Sequence, residues 1–328
     1  APAYKGGKSK DEINFDGPIY KLSSNENPIG ASPKAIAAMQ AKMDNLFEYP
    51  DNTDLRWRTA LSNVYQKKLT PDQFVTANSG VGIIELIVHA FLGEGLECIA
   101  CNPAFLPYIS FPTKVGAVIR DVPLVGHDYK LNIEEIVNNI NENTRVIWLC
   151  SPNNPTGNSV DRNDIETLIQ SFKGVVVIDE AYIDFSSEES CVEFINKYSN
   201  VVVLQTFSKA WGMANIRLGQ AYSNTEMIGL LNKVKPPYNI SELTQNAALL
   251  AFKNRNKVKE SVAIILRERS RVEDNLSRFE FIEEVYPTDA DCIMAIVDDP
   301  NKLYDFVVSK VIIVRKRSTV TLCEGCLR

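Results

Sequence analysis

One lysine, Lys209, closes an apolar run in TFSKAWGMANIRLG (206–219), with Ser208 just before it and Arg217 eight residues after it. Alone, such a lysine reads as a solvated loop residue. Other positions change its weight. Asp179 ends the run VVVID, where a carboxylate is costly unless it meets a cation or hydrogen-bond donors. A helix N-cap or a structural ion pair meets that need as well as a ligand's cation does. SPNNPTG (151–157) is turn chemistry by its Asn-Pro and Thr-Gly pairs, yet Asn154 there can donate to a phenolate or carboxylate oxygen, and Tyr182 follows Asp179 by three residues. ANSGVG (77–82) opens a helix-like segment, where the backbone N–H groups around Gly80 and Val81 favour an anion; Ser208 and Arg217 add a hydroxyl and a guanidinium.

Together these residue types form one set. A pyridine aldehyde carrying a phosphate needs a lysine for a Schiff base, an acid facing the ring nitrogen, donors at the phenolate oxygen, an aromatic ring to stack on and a phosphate cup. Lys209, Asp179, Asn154 with Tyr182, Tyr108, and the 79–81 turn with Ser208 and Arg217 supply it. The expected cofactor is pyridoxal 5′-phosphate. Phe105 lies three residues before Tyr108, and Tyr108 is taken as the stacking ring. A generic nucleotide-binding domain would instead carry G-x-G-x-x-G or G-x-x-x-x-G-K-[ST] after its first strand, and the sequence has neither.

Positioning such a set calls for a sheet. Apolar, β-branched runs at CIAC (98), AVIRDV (117), RVIWLC (145), GVVVID (174) and NVVVLQ (201) alternate with helix-like VGIIELIVHAFL (81), NIEEIVNNI (132) and RNDIETLIQSF (162). This alternation predicts an α/β domain with a mostly parallel central sheet flanked by helices, over residues 31–235. Ligands sit beyond the carboxyl ends of such strands. NPAFLPY, SPNNPTG, DEAY and TFSK stand at four consecutive ends. After KPPYN the pattern becomes one long amphipathic helical stretch, 242–279, followed by short strands at FIEEVYP, DCIMAIV and VIIVR, a small α+β domain over 236–328. Residues 1–30 read as an N-terminal arm and substrate loop.

The bulk numbers exclude several classes. A net charge of −6 argues against a nucleic-acid binder. No apolar run is long enough to cross a bilayer, and the first twenty residues lack the apolar core of a signal peptide, so a soluble, cytoplasmic protein is expected. Among seven cysteines are two C-x-x-C pairs, Cys98 with Cys101 and Cys323 with Cys326. Strand alternation points the first two thiols to opposite faces, and no metal site is expected.

The motifs resemble fold-type I pyridoxal-phosphate aminotransferases of class II, and among them the histidinol-phosphate aminotransferase family. Resemblance covers nearly the whole chain: YKGGKSKDEI near the start, LSSNENPIGASPKA at 22, YPD at 49, SPNNPTG, DEAYIDF, TFSKAWGMANIRLG, and VRKRS with the closing CLR. It implies that Lys209 forms the internal aldimine and then moves the proton of the 1,3-shift, while Asp179 keeps the pyridine nitrogen protonated. By the same resemblance Thr206 joins the cofactor-binding residues, and Tyr49 reaches the cofactor phosphate of a neighbouring subunit, which implies a homodimer with shared active sites. Arg328 and Arg315 match substrate arginines able to grip a carboxylate or a phosphate bidentately. Tyr4 adds a hydroxyl to that phosphate, and Asn154 borders the substrate. The implied reaction is transamination between L-glutamate and imidazole-acetol phosphate. Where the family often has an aspartate in the phosphate turn, this chain has Val81, so only backbone N–H groups serve there. The family continues past the position of Arg328, so the small domain is expected to lack its last residues. Aromatic aminotransferases and threonine-phosphate decarboxylases share every cofactor residue named, and a non-catalytic regulator built on the same fold is a further alternative.

Overall fold

A computed structural model describes residues 8–13, 15–65 and 68–328. Among these described residues twelve strands are numbered in chain order: β1 Tyr20–Lys21, β2 Phe74–Asn78, β3 Glu97–Asn102, β4 Val118–Pro123, β5 Thr144–Cys150, β6 Val175–Asp179, β7 Val201–Thr206, β8 Leu218–Tyr222, β9 Ile282–Val285, β10 Ala295–Val297, β11 Ile312–Ile313 and β12 Cys326–Leu327.

The strands β2 to β8 form one seven-stranded sheet in the order β2-β8-β7-β6-β5-β3-β4. All five runs expected as strands are in it. Every pairing from β7 to β4 is parallel, whereas β8 runs antiparallel to both β2 and β7. The strands FVTAN and LGQAY escaped the sequence reading: each is five residues long, and only the three-residue 3-10 helix Ala214–Ile216 separates LGQAY from the strand before it. Because β8 is reversed, its entry at Leu218 lies at the same edge as the exits of the parallel strands.

Period-2 alternation splits the strand side chains between two apolar layers. Ile147, Leu149, Val176, Ile178, Val201 and Val203 belong to one core, and Val146, Trp148, Val175, Val177, Val202 and Leu204 to the other. Cys98 and Cys101 likewise fall into opposite cores. By this parity Asp179 continues the face of Val175 and Val177, and in register it stands between Cys150 and Leu204.

The stretch expected as one helix over 242–279 is two, Glu242–Lys253 and Arg255–Leu276, broken at Asn254, whose φ and ψ are −114° and 31°. Two helices let the first pack against Pro33–Gln40 while the second turns away toward β9. Beyond them β12, β10 and β9 make a small antiparallel sheet. The expected strand VIIVR shrinks to β11, which pairs with β1 from the N-terminal segment and not with β9 or β10.

Candidate active site

A cleft of about 1070 Å³ opens at the carboxyl edge of the sheet, between it and the residues around Arg315 and Arg328. Gly80, Val81, Tyr108, Asn154, Asp179, Tyr182, Thr206, Ser208, Lys209, Arg217, Arg315 and Arg328 all border it. Tyr49 does not; it is 81% exposed and stacks on Tyr238 with ring centroids 4.7 Å apart. Tyr4 lies outside the described residues.

Asp179 is only 4% exposed. One carboxylate oxygen accepts the Tyr108 hydroxyl at 2.6 Å, and the other accepts the backbone N–H of Ala181 at 3.0 Å. Among the described residues no cationic side chain pairs with it. Burial therefore pushes its pKa up to about 6, against the pull of Tyr108, Ala181 and Lys209. A buried acid so placed fits a ligand that brings its own N–H⁺.

Tyr108 differs from its expected role. Trp148 lies parallel to it, with centroids 5.3 Å apart and planes 7° apart, and its hydroxyl is committed to Asp179. It positions the acid. Phe105 borders the same cleft, edge-on to Tyr108 at 5.7 Å, and is the ring available for stacking.

On the neighbouring strand exit, Lys209 Nζ donates to the carbonyl of Ser24 at 2.8 Å and lies 5.7 Å from the centre of the Tyr182 ring. Burial depresses its pKa; nearby Asp291 opposes that shift and Arg328 adds to it. A lysine held this way is a nucleophile and base in its neutral form. Between the lysine and the arginines, Asn154 Nδ2 donates to the Tyr182 hydroxyl at 3.2 Å while its Oδ1 accepts from Arg328 Nη1 at 2.6 Å.

The candidate phosphate cup lies where β8 meets the helix Ser79–Phe91. Ser79 N–H donates to the carbonyl of Arg217 at 3.0 Å, and Ser79 and Arg217 both take left-handed backbone conformations, φ 73° and 54°. Gly219 permits this approach: a Cβ there would lie 2.3 Å from the Ser79 carbonyl carbon. Thr206 Oγ1 accepts from Ser208 N–H at 3.1 Å and lies 3.0 Å from Ser208 Oγ, which fixes that hydroxyl near the helix start. Helix N–H groups, two hydroxyls and a guanidinium fit a phosphate.

Several residues were missed in the sequence. The loop SSNEN supplies the Ser24 carbonyl to Lys209, and Asn25 Nδ2 to the Tyr182 hydroxyl at 3.4 Å. Its polar run ahead of a proline was the available signal. Asp291 carried none, because only folding brings it near Lys209; Arg317 lay inside the quoted run VRKRS, where nothing in the sequence set it apart from Lys316.

The family model for class I and II aminotransferases matches residues 18–328. Sheet, cleft and half-buried lysine thus define an aminotransferase of that class. The histidinol-phosphate aminotransferase of Flavobacterium johnsoniae is 39% identical, over 98% of this chain and 88% of that protein. That of Cytophaga hutchinsonii is also 39% identical, with the same coverage. The chain belongs to the histidinol-phosphate aminotransferase family within that class. Solved structures agree on the fold: the histidinol-phosphate aminotransferase of Sinorhizobium meliloti, in complex with pyridoxal-5′-phosphate, superposes with a TM-score of 0.87 at 19% identity, covering 97% of this chain and 90% of that one. L-threonine-O-3-phosphate decarboxylase from Porphyromonas gingivalis reaches 0.81 at 19% identity, covering 94% and 93%. Fold alone therefore does not separate these activities.

Proposed function

We propose that this chain transfers the amino group between L-glutamate and imidazole-acetol phosphate, giving 2-oxoglutarate and L-histidinol phosphate in histidine biosynthesis, with pyridoxal 5′-phosphate as cofactor. The observation that carries it is the pairing, in one cleft, of Asp179, buried with no ion-pair partner among the described residues, with the half-buried amine Lys209, beside Arg315 and Arg328.

When bound, pyridoxal phosphate supplies an electron sink for the pair released at the substrate Cα. The chain supplies the rest. Asp179 holds a ring N–H⁺, and Tyr108 keeps the acid in place. Asn154 Nδ2 and the Tyr182 hydroxyl lie side by side, 3.2 Å apart, and together suit a phenolate oxygen. Phe105 flanks the ring. The N–H groups of Gly80 and Val81, with Ser208, Thr206 and Arg217, hold the phosphate. Lys209 Nζ, neutral at lower pH than an ordinary lysine, takes the proton from the substrate Cα and returns it. Arg315 and Arg328 orient the anionic end of either substrate.

A homodimer is part of this reading. Leu46, Phe47 and Tyr49 are 66%, 82% and 81% exposed, an apolar patch costly to leave in water and suited to a second copy. There Tyr49 can reach the partner's cofactor phosphate.

The test is a substrate panel on the purified protein with pyridoxal phosphate added. Formation of histidinol phosphate with glutamate as donor supports the proposal. Decarboxylation of threonine phosphate without amino transfer would replace it.

A further inference from the structure

The backbone around VRKRS and CLR forms a short antiparallel ladder. Arg315 and Arg328 exchange both N–H···O bonds, at 2.8 and 2.9 Å, and Arg317 N–H donates to the carbonyl of Cys326 at 2.9 Å. Lys316 is bridged to Leu327 in the same register. Alternation then puts Arg315, Arg317 and Arg328 on one face of the ladder and Lys316 on the other, where its ammonium reaches Asn301 Oδ1 at 2.7 Å. All three arginines border the cleft.

Two of them meet at one atom. Asn154 Oδ1 accepts from Arg328 Nη1 at 2.6 Å and faces Arg317 Nη2 at 3.4 Å. Both guanidinium groups are half-buried beside that oxygen, so charge-assisted contacts made there are incompletely screened. An anion placed there meets both. The carboxyl of Asp291 lies close enough for its charge to be felt by Lys209 and Arg328.

We propose that Arg317 is a specificity-determining residue, a third guanidinium that selects a phosphate monoester dianion over a carboxylate in the substrate pocket. A carboxylate offers two oxygens, which a single arginine fork satisfies; a phosphate offers three and a second charge, which a further arginine can use. This rests on the transaminase reading above and deepens it. Arg317 acts on binding of the phosphate-bearing substrate and takes no part in the proton transfer at Lys209.

The test compares half-reactions of the holoenzyme in single turnover, with glutamate and with histidinol phosphate, for wild type, Arg317→Gln and Arg317→Lys. Inorganic phosphate serves as a competitive probe. In Arg317→Gln the apparent Kd for histidinol phosphate and the Ki for phosphate rise roughly tenfold to a hundredfold, as expected for one lost charge-assisted contact. The Kd for glutamate rises severalfold less, and Arg317→Lys recovers part of the phosphate loss. An equal loss with both substrates, the mark of a merely loosened Asn154, would overturn the proposal, as would an unchanged phosphate Ki. If the wild type accepts glutamate but not histidinol phosphate, the transaminase reading falls in its substrate; the phosphate Ki of Arg317→Gln still decides the role of Arg317.

Discussion

Tyr108 donates a hydrogen bond from its hydroxyl to Asp179 at 2.6 Å while its ring lies parallel to Trp148. A residue that borders the cleft is thereby locked as a support for the buried acid. Removing the hydroxyl leaves Asp179 with the Ala181 N–H as its remaining donor among the described residues. In Tyr108→Phe the anion loses about 1.5–3 kcal/mol of stabilisation, the usual range for a hydrogen bond to a charged group. The pKa of Asp179 climbs further, the acid limb of the pH–rate profile moves to higher pH, and kcat falls by about tenfold at neutral pH. Steady-state kinetics from pH 5 to 9 reads this, and an unmoved acid limb would contradict it.

Asp179 also weighs on the fold itself. The native chain without cofactor holds the Asp179 proton until about pH 6, whereas the acid's ordinary value is 3.8. Between those values the folded state binds more protons than the unfolded one, so stability of the apo-protein falls as pH rises through that window and stays low above it. Asp179→Asn removes the penalty. Its apo form is expected to be more stable than the wild type at pH 7, by about 1–3 kcal/mol, and no more stable at pH 4. Activity of the same variant drops by several orders of magnitude. Denaturant melts of both apo-proteins at the two pH values provide the check.

Gly219 is needed for a close approach. A methyl group there would lie 2.3–2.5 Å from backbone atoms of Ser79 and Gly80, which have no freedom to give way. Gly219→Ala therefore pries β8 from the helix start, at a cost of about 3 kcal/mol or more. Because the same atoms form the proposed phosphate cup, affinity for pyridoxal phosphate is expected to fall with stability. Thermal melts and cofactor titration should move together; a stable variant with full affinity would refute this account of the cup.

The exposed pair Phe47 and Tyr49 bears on assembly. Phe47→Asp places a charge in the apolar patch and is expected to shift the protein toward monomer, read by sedimentation velocity. Tyr49→Phe keeps the patch, so it should preserve the dimer while weakening cofactor binding by roughly tenfold, the loss of one phosphate contact. A Tyr49→Phe dimer with wild-type cofactor affinity would remove Tyr49 from the partner's site.

The sequence by itself determined the parallel part of the sheet, the strand exits that carry Asn154, Asp179 and Lys209, and the chemistry that these residue types share. Each is a local property: a β-branched run, a polar residue where that run stops, a turn-forming dipeptide. Long-range contacts decided the rest. Strand β8 is visible only once it is reversed against β2 and β7, and the break at Asn254 only once two helices find different neighbours. Whether Tyr108 stacks on a ligand or braces Asp179 depends on Trp148, forty residues away. Arg317 counts as part of the site because a ladder between residues 315–317 and 326–328 turns it to the same face as Arg328, over Asn154. Spacing along a chain records periodicity; which side chains share one enclosed volume is set by packing, and packing joins residues that sequence distance keeps apart.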